Sequence, residues 1–345
     1  MRIGVPTEVK NNEFRVAITP AGAMELSRHG HDVLVQSGAG LGSSISDAEY
    51  VAAGAQLRDT ADEVWGDAEM VLKVKEPVAE EYHRIRAGQV VFTYPHLAAS
   101  RECTDAILRA GATAITYETV ELPDGSLPLL APMSEVAGRL APQVGSHALM
   151  RAHGGRGVLM GGVSGAYAAK VDKNIARLRQ MDAIYQGHMQ TAASKAFEIE
   201  RAVLDADMVI GAVLVPGALA PTNVSNELAS RMKPGSVLVD IAIDQGGCFE
   251  DSRPTTHDDS TYRVHDSVFY CVANMPGAVP HTSTYALTNV TPPYAVALAD
   301  KGWRQALADD AAVALGLNVH EGSLTHEAVA EAFDLPYVPV AEVLA

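Results

Sequence analysis

Met70-Val-Leu-Lys-Val74, Gln89-Val-Val-Phe-Thr93 and Thr113-Ala-Ile-Thr-Tyr-Glu118 are three short runs dominated by apolar and β-branched residues. That composition belongs to strands buried on both faces. Between them lie Ala79–Ala87 and Ser100–Ala110, rich in Ala, Glu and Arg, which predict helices. Strands separated by helices at this spacing predict parallel pairing, with helices on both faces of the sheet. Toward the start, Arg2–Val5 and Asp32–Gln36 predict two more strands. Thr19-Pro20 reads as an N-cap with proline at the first helical position, opening a helix to about His29. Ser46-Asp-Ala-Glu49 and Thr60-Ala-Asp-Glu63 have capping-box form and start short helices.

Toward the end, Ser134–Arg151 predicts a long helix with a kink or break at Pro142. The glycine-rich stretch Gly154–Gly165 leads into a second α/β region. Its expected strands are Met208–Ala212, Val237–Asp244 and Val268–Ala273, with helices over Ile175–Ala183 and Ser194–Leu204. The tail from Thr282 to Ala345 reads as mostly helical and is expected to return to the first domain. At 345 residues the chain exceeds the roughly 250–300 at which a single core stops growing. The expectation is an α/β protein of two doubly wound domains with mainly parallel sheets. Residues 1–128 with 281–345 form one domain and 129–280 the other.

A formal charge of −16 argues against nucleic acid or an anionic membrane as partner, since both repel an acidic surface. Three scattered cysteines, Cys103, Cys248 and Cys271, form neither a CxxC pair nor a disulfide framework, as in a reducing compartment. No apolar run reaches the roughly 18 residues of a membrane span. The opening residues read as a strand and turn, without the apolar core of a signal peptide. The expected location is cytoplasmic.

In an open parallel sheet, ligands sit at the carboxyl ends of the strands. Lys75 follows Met70–Val74, His96 follows Gln89–Thr93, Asp244 ends Val237–Asp244, and Asn274 follows Val268–Ala273. Arg15 lies in a loop shortly after the first strand. An Arg and a Lys can hold a carboxylate, a His can relay a proton near neutrality, and an Asp can steer a water or amine. Taken singly, each has a bland reading. A basic residue near a strand end is usually a surface charge, and a lone His is usually a satisfied loop or core residue. Asp244 stands out because an unpaired carboxylate in an apolar strand would be costly. Gly38-Ala-Gly40-Leu-Gly42 is GxGxG rather than GxGxxG and reads as a tight turn. No motif points to a metal.

Seven stretches, taken together and in order, resemble the alanine dehydrogenase family across nearly the whole chain. They are Arg2-Ile-Gly-Val-Pro-Thr-Glu8, Asn11-Asn-Glu-Phe-Arg-Val-Ala17, Leu72-Lys-Val-Lys-Glu-Pro77, His96-Leu-Ala-Ala-Ser100, Ala131-Pro-Met-Ser-Glu-Val-Ala-Gly-Arg139, Val239-Asp-Ile-Ala-Ile-Asp-Gln-Gly-Gly247 and Val272-Ala-Asn-Met-Pro276. The resemblance implies two Rossmann-like domains, substrate domain first and NAD-binding domain second. It implies reversible NAD-dependent deamination of L-alanine to pyruvate and ammonium, typically by a homohexamer. By resemblance, Arg15 and Lys75 would hold the substrate, and His96 would be the acid–base group, with Asp244 assisting. Ser134, Ser194, Val213, Asn274 and Met275 would line the cofactor site, while Asp172 would take the ribose hydroxyls with Arg177 nearby.

The sequence departs from the family at one join. Gly162-Val-Ser-Gly-Ala-Tyr-Ala-Ala-Lys170 runs straight into Val171-Asp172, where the family carries a strand, a GxGxxG turn and a helix. The nucleotide domain is therefore expected to lack its first βα unit, with NAD(H) affinity severely reduced. Pro95 stands where a leucine is usual, and Pro293 where an apolar residue is usual. Three accounts of the join stay open. The chain could be a cofactor-deficient paralogue kept for binding or assembly, an altered copy of an active enzyme, or a form compensated elsewhere. A soluble transhydrogenase-like NAD-binding protein is the remaining alternative.

Overall fold

In the computed structural model, residues 1–160, 168–186, 188–215 and 218–345 are described. The first six strands are β1 (Arg2–Val5), β2 (Asp32–Gln36), β3 (Gln56–Arg58), β4 (Met70–Lys75), β5 (Val90–Tyr94) and β6 (Thr113–Thr116). Next come β7 (Ala168–Asp172), β8 (Met189–Ala193), β9 (Met208–Gly211), β10 (Val237–Asp240), β11 (Thr261–Val264) and β12 (Ser267–Tyr270), and the chain closes with β13 (Leu317–His320) and β14 (Ser323–Leu324). Two compact units result. The first comprises Met1–Ala137, Val215–Leu219 and Asn274–Ala345; the second comprises Gly138–Leu214 and Ala220–Ala273.

The first unit holds an eight-stranded sheet in the order β14-β13-β6-β5-β4-β1-β2-β3. From β3 through β6 every pairing is parallel, as the alternation of strands and helices predicts. Every residue of β4 and β5 is buried. Successive side chains of a strand point to opposite faces. Accordingly Met70, Leu72 and Val74 pack into one core and Val71 into another on the far side. The capping boxes form as expected. Ser46 and Glu49 exchange bonds of 3.4 and 2.7 Å, and Thr60 and Glu63 bonds of 3.2 and 3.0 Å. Thr19 makes no side-chain cap, so Pro20 alone starts its helix.

Burying the far face of β4 brings a lysine inside. Lys73 is fully buried, and its ammonium lies 2.9 Å from both Glu8 and Glu81. One cation serves two carboxyls, so Lys73 stays charged while burial pushes the Glu8 carboxyl up to about 7. The same contact explains why Ala79–Ala87 is not the expected helix. Glu81 turns inward and accepts the Val78 N–H at 3.1 Å, leaving only the single turn Tyr82–Arg84.

In the second unit β9, β10 and β12 run parallel, with β11 antiparallel at the edge, in the order β11-β12-β10-β9. β7 and β8 pair in parallel as a separate two-stranded sheet. Among the described residues no strand joins β7 to β9. The cost shows on β9, where Ile210 is 37% exposed, whereas all four residues of β10 are buried.

Several sequence expectations change. β10 stops at Asp240 rather than running on to Asp244, because the fully buried Asp240 carboxylate accepts from Ala242 N, Cys248 N and Ser252 Oγ and so turns the chain. The helix Ala131–Leu149 continues through Pro142 without a break. The residue four before that proline, whose carbonyl its ring would crowd, is Gly138, with no side chain to add to the crowding. The tail is largely helical and belongs to the first unit, but it also contributes β13, antiparallel to β6. No helix of the described residues is long and apolar enough to cross a membrane, and all three cysteines are free and buried.

Lys73→Met strands two buried carboxyls, so it should lower stability by about 3–5 kcal/mol in urea denaturation at pH 8. Adding Glu8→Gln and Glu81→Gln should recover most of that loss. A single variant as stable as the parent would show that the ion cluster does not hold this face of the sheet.

Candidate active site

Because β1, β4, β5 and β6 are parallel neighbours, their carboxyl ends open on one edge of the sheet. The loop after β1 supplies Glu13 and Arg15, the end of β4 supplies Lys75 and Glu76, and the turns after β5 and β6 supply His96 and Glu118.

Arg15 is 3% exposed. Its Nε and Nη2 donate to the two Glu13 oxygens at 2.7 and 2.5 Å, Nη2 also reaches Asn274 Oδ1 at 2.5 Å, and Nη1 lies 3.1 Å from Met133 Sδ. Asn274 Nδ2 closes the ring with a 2.7 Å bond to Glu13 Oε2. Burial pushes the Glu13 carboxyl up, but the charge and hydrogen bonds of Arg15, with the bond from Asn274, outweigh it and hold Glu13 down at about 2. Both partners are therefore ionised. Asn274 adopts a left-handed backbone, φ 79°, at the start of the turn Met275–Ala278. Gly277 is needed there, since a Cβ would come within 2.6 Å of Asn274 Nδ2.

Lys75 is 3% exposed and lies 3.9 Å from Glu76, whose other oxygen meets Lys10 at 2.5 Å. Burial raises the Glu76 carboxyl; Lys75, Lys10 and His96 more than reverse that and hold it below the ordinary carboxylate range. His96 also has a left-handed backbone, φ 45°, and its ring stacks on Tyr94 at 6.1 Å between centroids. The His96 N–H donates to Glu118 Oε1 at 2.9 Å, and the same oxygen lies 3.8 Å from His96 Nδ1. Burial pushes the Glu118 carboxyl up to about 7, against weaker lowering by backbone hydrogen bonds and Lys75. Its Oε2 is buried and accepts no hydrogen bond among the described residues. Lys75 and His96 thus meet electrostatically through Glu76 and Glu118. A separate hollow of 440 Å³ is lined by Glu8, Lys10, Glu13 and Arg15 among others, but by neither Lys75 nor His96. Its volume suits a small acid, yet the acid–base groups lie outside its lining.

The remaining sequence-derived residues divide between the units. Ser134 and Met275 belong to the first, Ser134 exposed on the helix Ala131–Leu149 and Met275 buried. In the second, Asp172 ends β7, with Lys170 Nζ at 3.6 Å and Arg177 Nη1 at 3.7 Å. The Ser194 N–H donates to the Asp172 carbonyl at 3.0 Å. Val213 follows β9 and is half-buried. Asp244 lies in the turn Ile243–Gln245 and is half-buried, so the costly carboxylate of this segment is Asp240, four residues earlier. No group of acidic, His or Cys residues among those described could hold a metal.

A dinucleotide pyrophosphate needs a glycine turn between a strand and the N-terminus of a helix. No Gly-x-Gly-x-x-Gly occurs anywhere in the chain. The glycines 161, 162 and 165 lie outside the described residues. Asp172 stands at the carboxyl end of β7, but the described residues do not fit a complete dinucleotide site.

Sequence reasoning missed Glu13, Glu76 and Glu118. Glu118 is within reach of the same reasoning, since it stands at the carboxyl end of the run Thr113–Glu118 much as Lys75 and His96 stand at the ends of theirs.

Two family models match the chain. Residues 4–137 match the alanine dehydrogenase/PNT N-terminal domain and residues 170–327 the alanine dehydrogenase/PNT C-terminal domain. Alanine dehydrogenases of Mycolicibacterium smegmatis and Mycobacterium tuberculosis are 58% and 60% identical to it, each alignment covering all of both chains. A solved structure of L-alanine dehydrogenase has a TM-score of 0.88 at 47% identity, over 97% of this chain and 99% of the other. A transhydrogenase structure from Sinorhizobium meliloti reaches 0.72 at 25% identity, over 95% of this chain and all of the other.

Glu118 carries a folded-state pKa of about 7 against an ordinary 4.5, so the folded state binds more protons than the unfolded one between those values. Its contribution to stability is present below pH 4.5 and lost as pH rises to about 7. Glu118→Gln should remove that slope, up to about 1.4 kcal/mol per pH unit, in urea melts across the window. The slope should shrink rather than vanish, because Glu8 titrates in the same direction. An unchanged slope would show that Glu118 ionises at its ordinary pH.

Proposed function

The chain belongs to the alanine dehydrogenase family, and from that premise we propose that it interconverts L-alanine with pyruvate and ammonium. In the family the hydride passes to and from a nicotinamide dinucleotide, taken here to be NAD. The observation that carries the reading is the cluster of buried, mutually balanced charges, Arg15–Glu13 and Lys75–Glu76 beside His96, at one edge of a parallel sheet.

The assigned roles follow from the chemistry of each group. Arg15, whose guanidinium is held in place by Glu13 and Asn274, is assigned to the substrate carboxylate as a pre-oriented hydrogen-bond donor. Lys75 supplies a compact cation that polarises the 2-oxo group. His96 takes or gives the proton as the carbonyl or amine changes state. Glu118 holds the His96 backbone in its left-handed turn and so aims the ring. Asp244 assists as water or ammonia adds to the imine carbon. On the nucleotide side, Asp172 with Arg177 is assigned to the ribose hydroxyls, and Ser134, Ser194, Val213, Asn274 and Met275 to the remaining lining. A cytoplasmic homo-oligomer, a hexamer in the family, completes the reading; the three free cysteines support a reducing compartment. The transhydrogenase-like alternative shares the fold but gives no role to the Lys75, His96 and Asp244 set.

The direct test supplies pyruvate, ammonium and millimolar NADH, and measures L-alanine by chromatography. L-Alanine should form, and His96→Ala should lower its rate by roughly 10²–10⁴-fold, the usual worth of a general acid–base group. Turnover unaffected by His96→Ala would sink the assignment of that residue. A folded chain that neither forms L-alanine nor is stabilised by pyruvate would sink the reading as a whole.

A further inference from the structure

We propose that this chain keeps its substrate half and holds its nucleotide weakly, because the sheet that should carry the pyrophosphate is divided among the described residues. The inference rests on the alanine dehydrogenase reading and says where this chain departs from it.

Three observations bear on the nucleotide domain, one giving a length and two a place. The mycobacterial relatives align over 371 positions with the whole of this 345-residue chain, which leaves 26 of those positions with no residue here. The match to the C-terminal family model begins at Lys170, and the match to the N-terminal one ends at Ala137. Among the described residues, β7 and β8 stand apart from β9, β10, β12 and β11. In doubly wound sheets the dinucleotide lies across the crevice where strand order reverses, at the carboxyl end of the first strand. That strand would lie between β7 and β9. Ala168 and Ala169 at the start of β7 are exposed, as is Ile210 on β9, so both flanks show apolar side chains on faces that a central strand's side chains and its crossover helix would pack beside.

The energetic consequence is specific to the nucleotide. Its pyrophosphate is an anion that the missing turn would meet with backbone N–H groups at a helix N-terminus. The Asp172 carboxylate can still take ribose hydroxyls, but it carries the wrong charge to replace those donors, and the overall charge of −16 adds to the repulsion. Losing two charge-assisted hydrogen bonds weakens binding on the order of 100-fold or more. Arg15, Lys75 and His96 lie in the first unit, whose eight described strands form one sheet, so binding of a 2-oxo acid there has no reason to fall.

The experiment compares this chain with a variant that carries, ahead of β7, the strand–turn–helix segment of the Mycolicibacterium smegmatis relative. NADH binding is followed by nucleotide fluorescence, and pyruvate binding by thermal shift. The expected result is half-saturation by NADH at least 100-fold higher for this chain than for the graft, with equal stabilisation of both by pyruvate. Should the graft fail to fold, the relative itself takes its place as reference. Half-saturation of this chain at or below roughly 10 µM NADH, the low part of the usual KM range, would overturn the proposal. If pyruvate stabilises neither protein while the NADH difference stands, the substrate assignment fails and the nucleotide inference survives.

Discussion

A guanidinium almost wholly withdrawn from water is affordable only with a carboxylate fixed against it, and that constraint sets the geometry of the first unit. Arg15 leans on Glu13 two residues earlier and on Asn274, which is where the chain returns to this unit. The early loop and the returning segment are thus fastened by one buried charge pair and its amide. Removing either charge would leave the other desolvated and alone, a far larger loss than the net worth of the pair. The left-handed turn at Asn274 and the absent side chain at Gly277 follow from this, since the amide must face Glu13 with nothing between.

The same logic repeats along the sheet edge. Lys73 is matched to Glu8 and Glu81, and Lys75 and Lys10 to Glu76. Glu118 is the exception, buried with one oxygen turned to His96 and the other unsatisfied among the described residues. A carboxyl poised near neutrality beside a histidine is an arrangement suited to proton traffic rather than to stability, because an apolar residue would cost less.

Much of this was legible in the sequence, for identifiable reasons. β4 and β5 were plain because burial on both faces demands unbroken apolar runs. β13 was not, because Asn318 and His320 disguise it; both are buried, with Asn318 Nδ2 donating to Thr119 Oγ1 at 2.7 Å and His320 Nδ1 lying 3.0 Å from Thr113 Oγ1. Tertiary pairing here overrides a polar local composition. Asp244 reads as a carboxylate in an apolar strand, yet Asp240 is the buried one, and the hydrogen bonds that end the strand there involve Cys248 and Ser252, residues with no pattern to mark them. Lys75 and His96 stand out by strand-end position and Arg15 by its loop after the first strand, whereas a carboxylate near a basic residue, as at Glu13 and Glu76, reads as an ordinary solvated charge.

The two units differ in how their sheets are completed. In the first, the tail adds β13 and β14 beyond β6, so that β6 has a neighbour on each side. In the second, β9 has a ladder partner on one side only among the described residues, and Ile210 faces water. Parallel sheets depend on burial of both faces and on neighbours on both sides, so a missing central strand is felt as lost packing as well as lost ligand contacts. Buried ion clusters, by contrast, give little net stability and could be replaced by apolar residues of similar size. A chain selected for folding alone has no use for Arg15 with Glu13 or for Glu118 beside His96, whereas it has every use for a whole second sheet. That the charges are present while the second sheet is divided among the described residues is the reverse of what folding alone would favour.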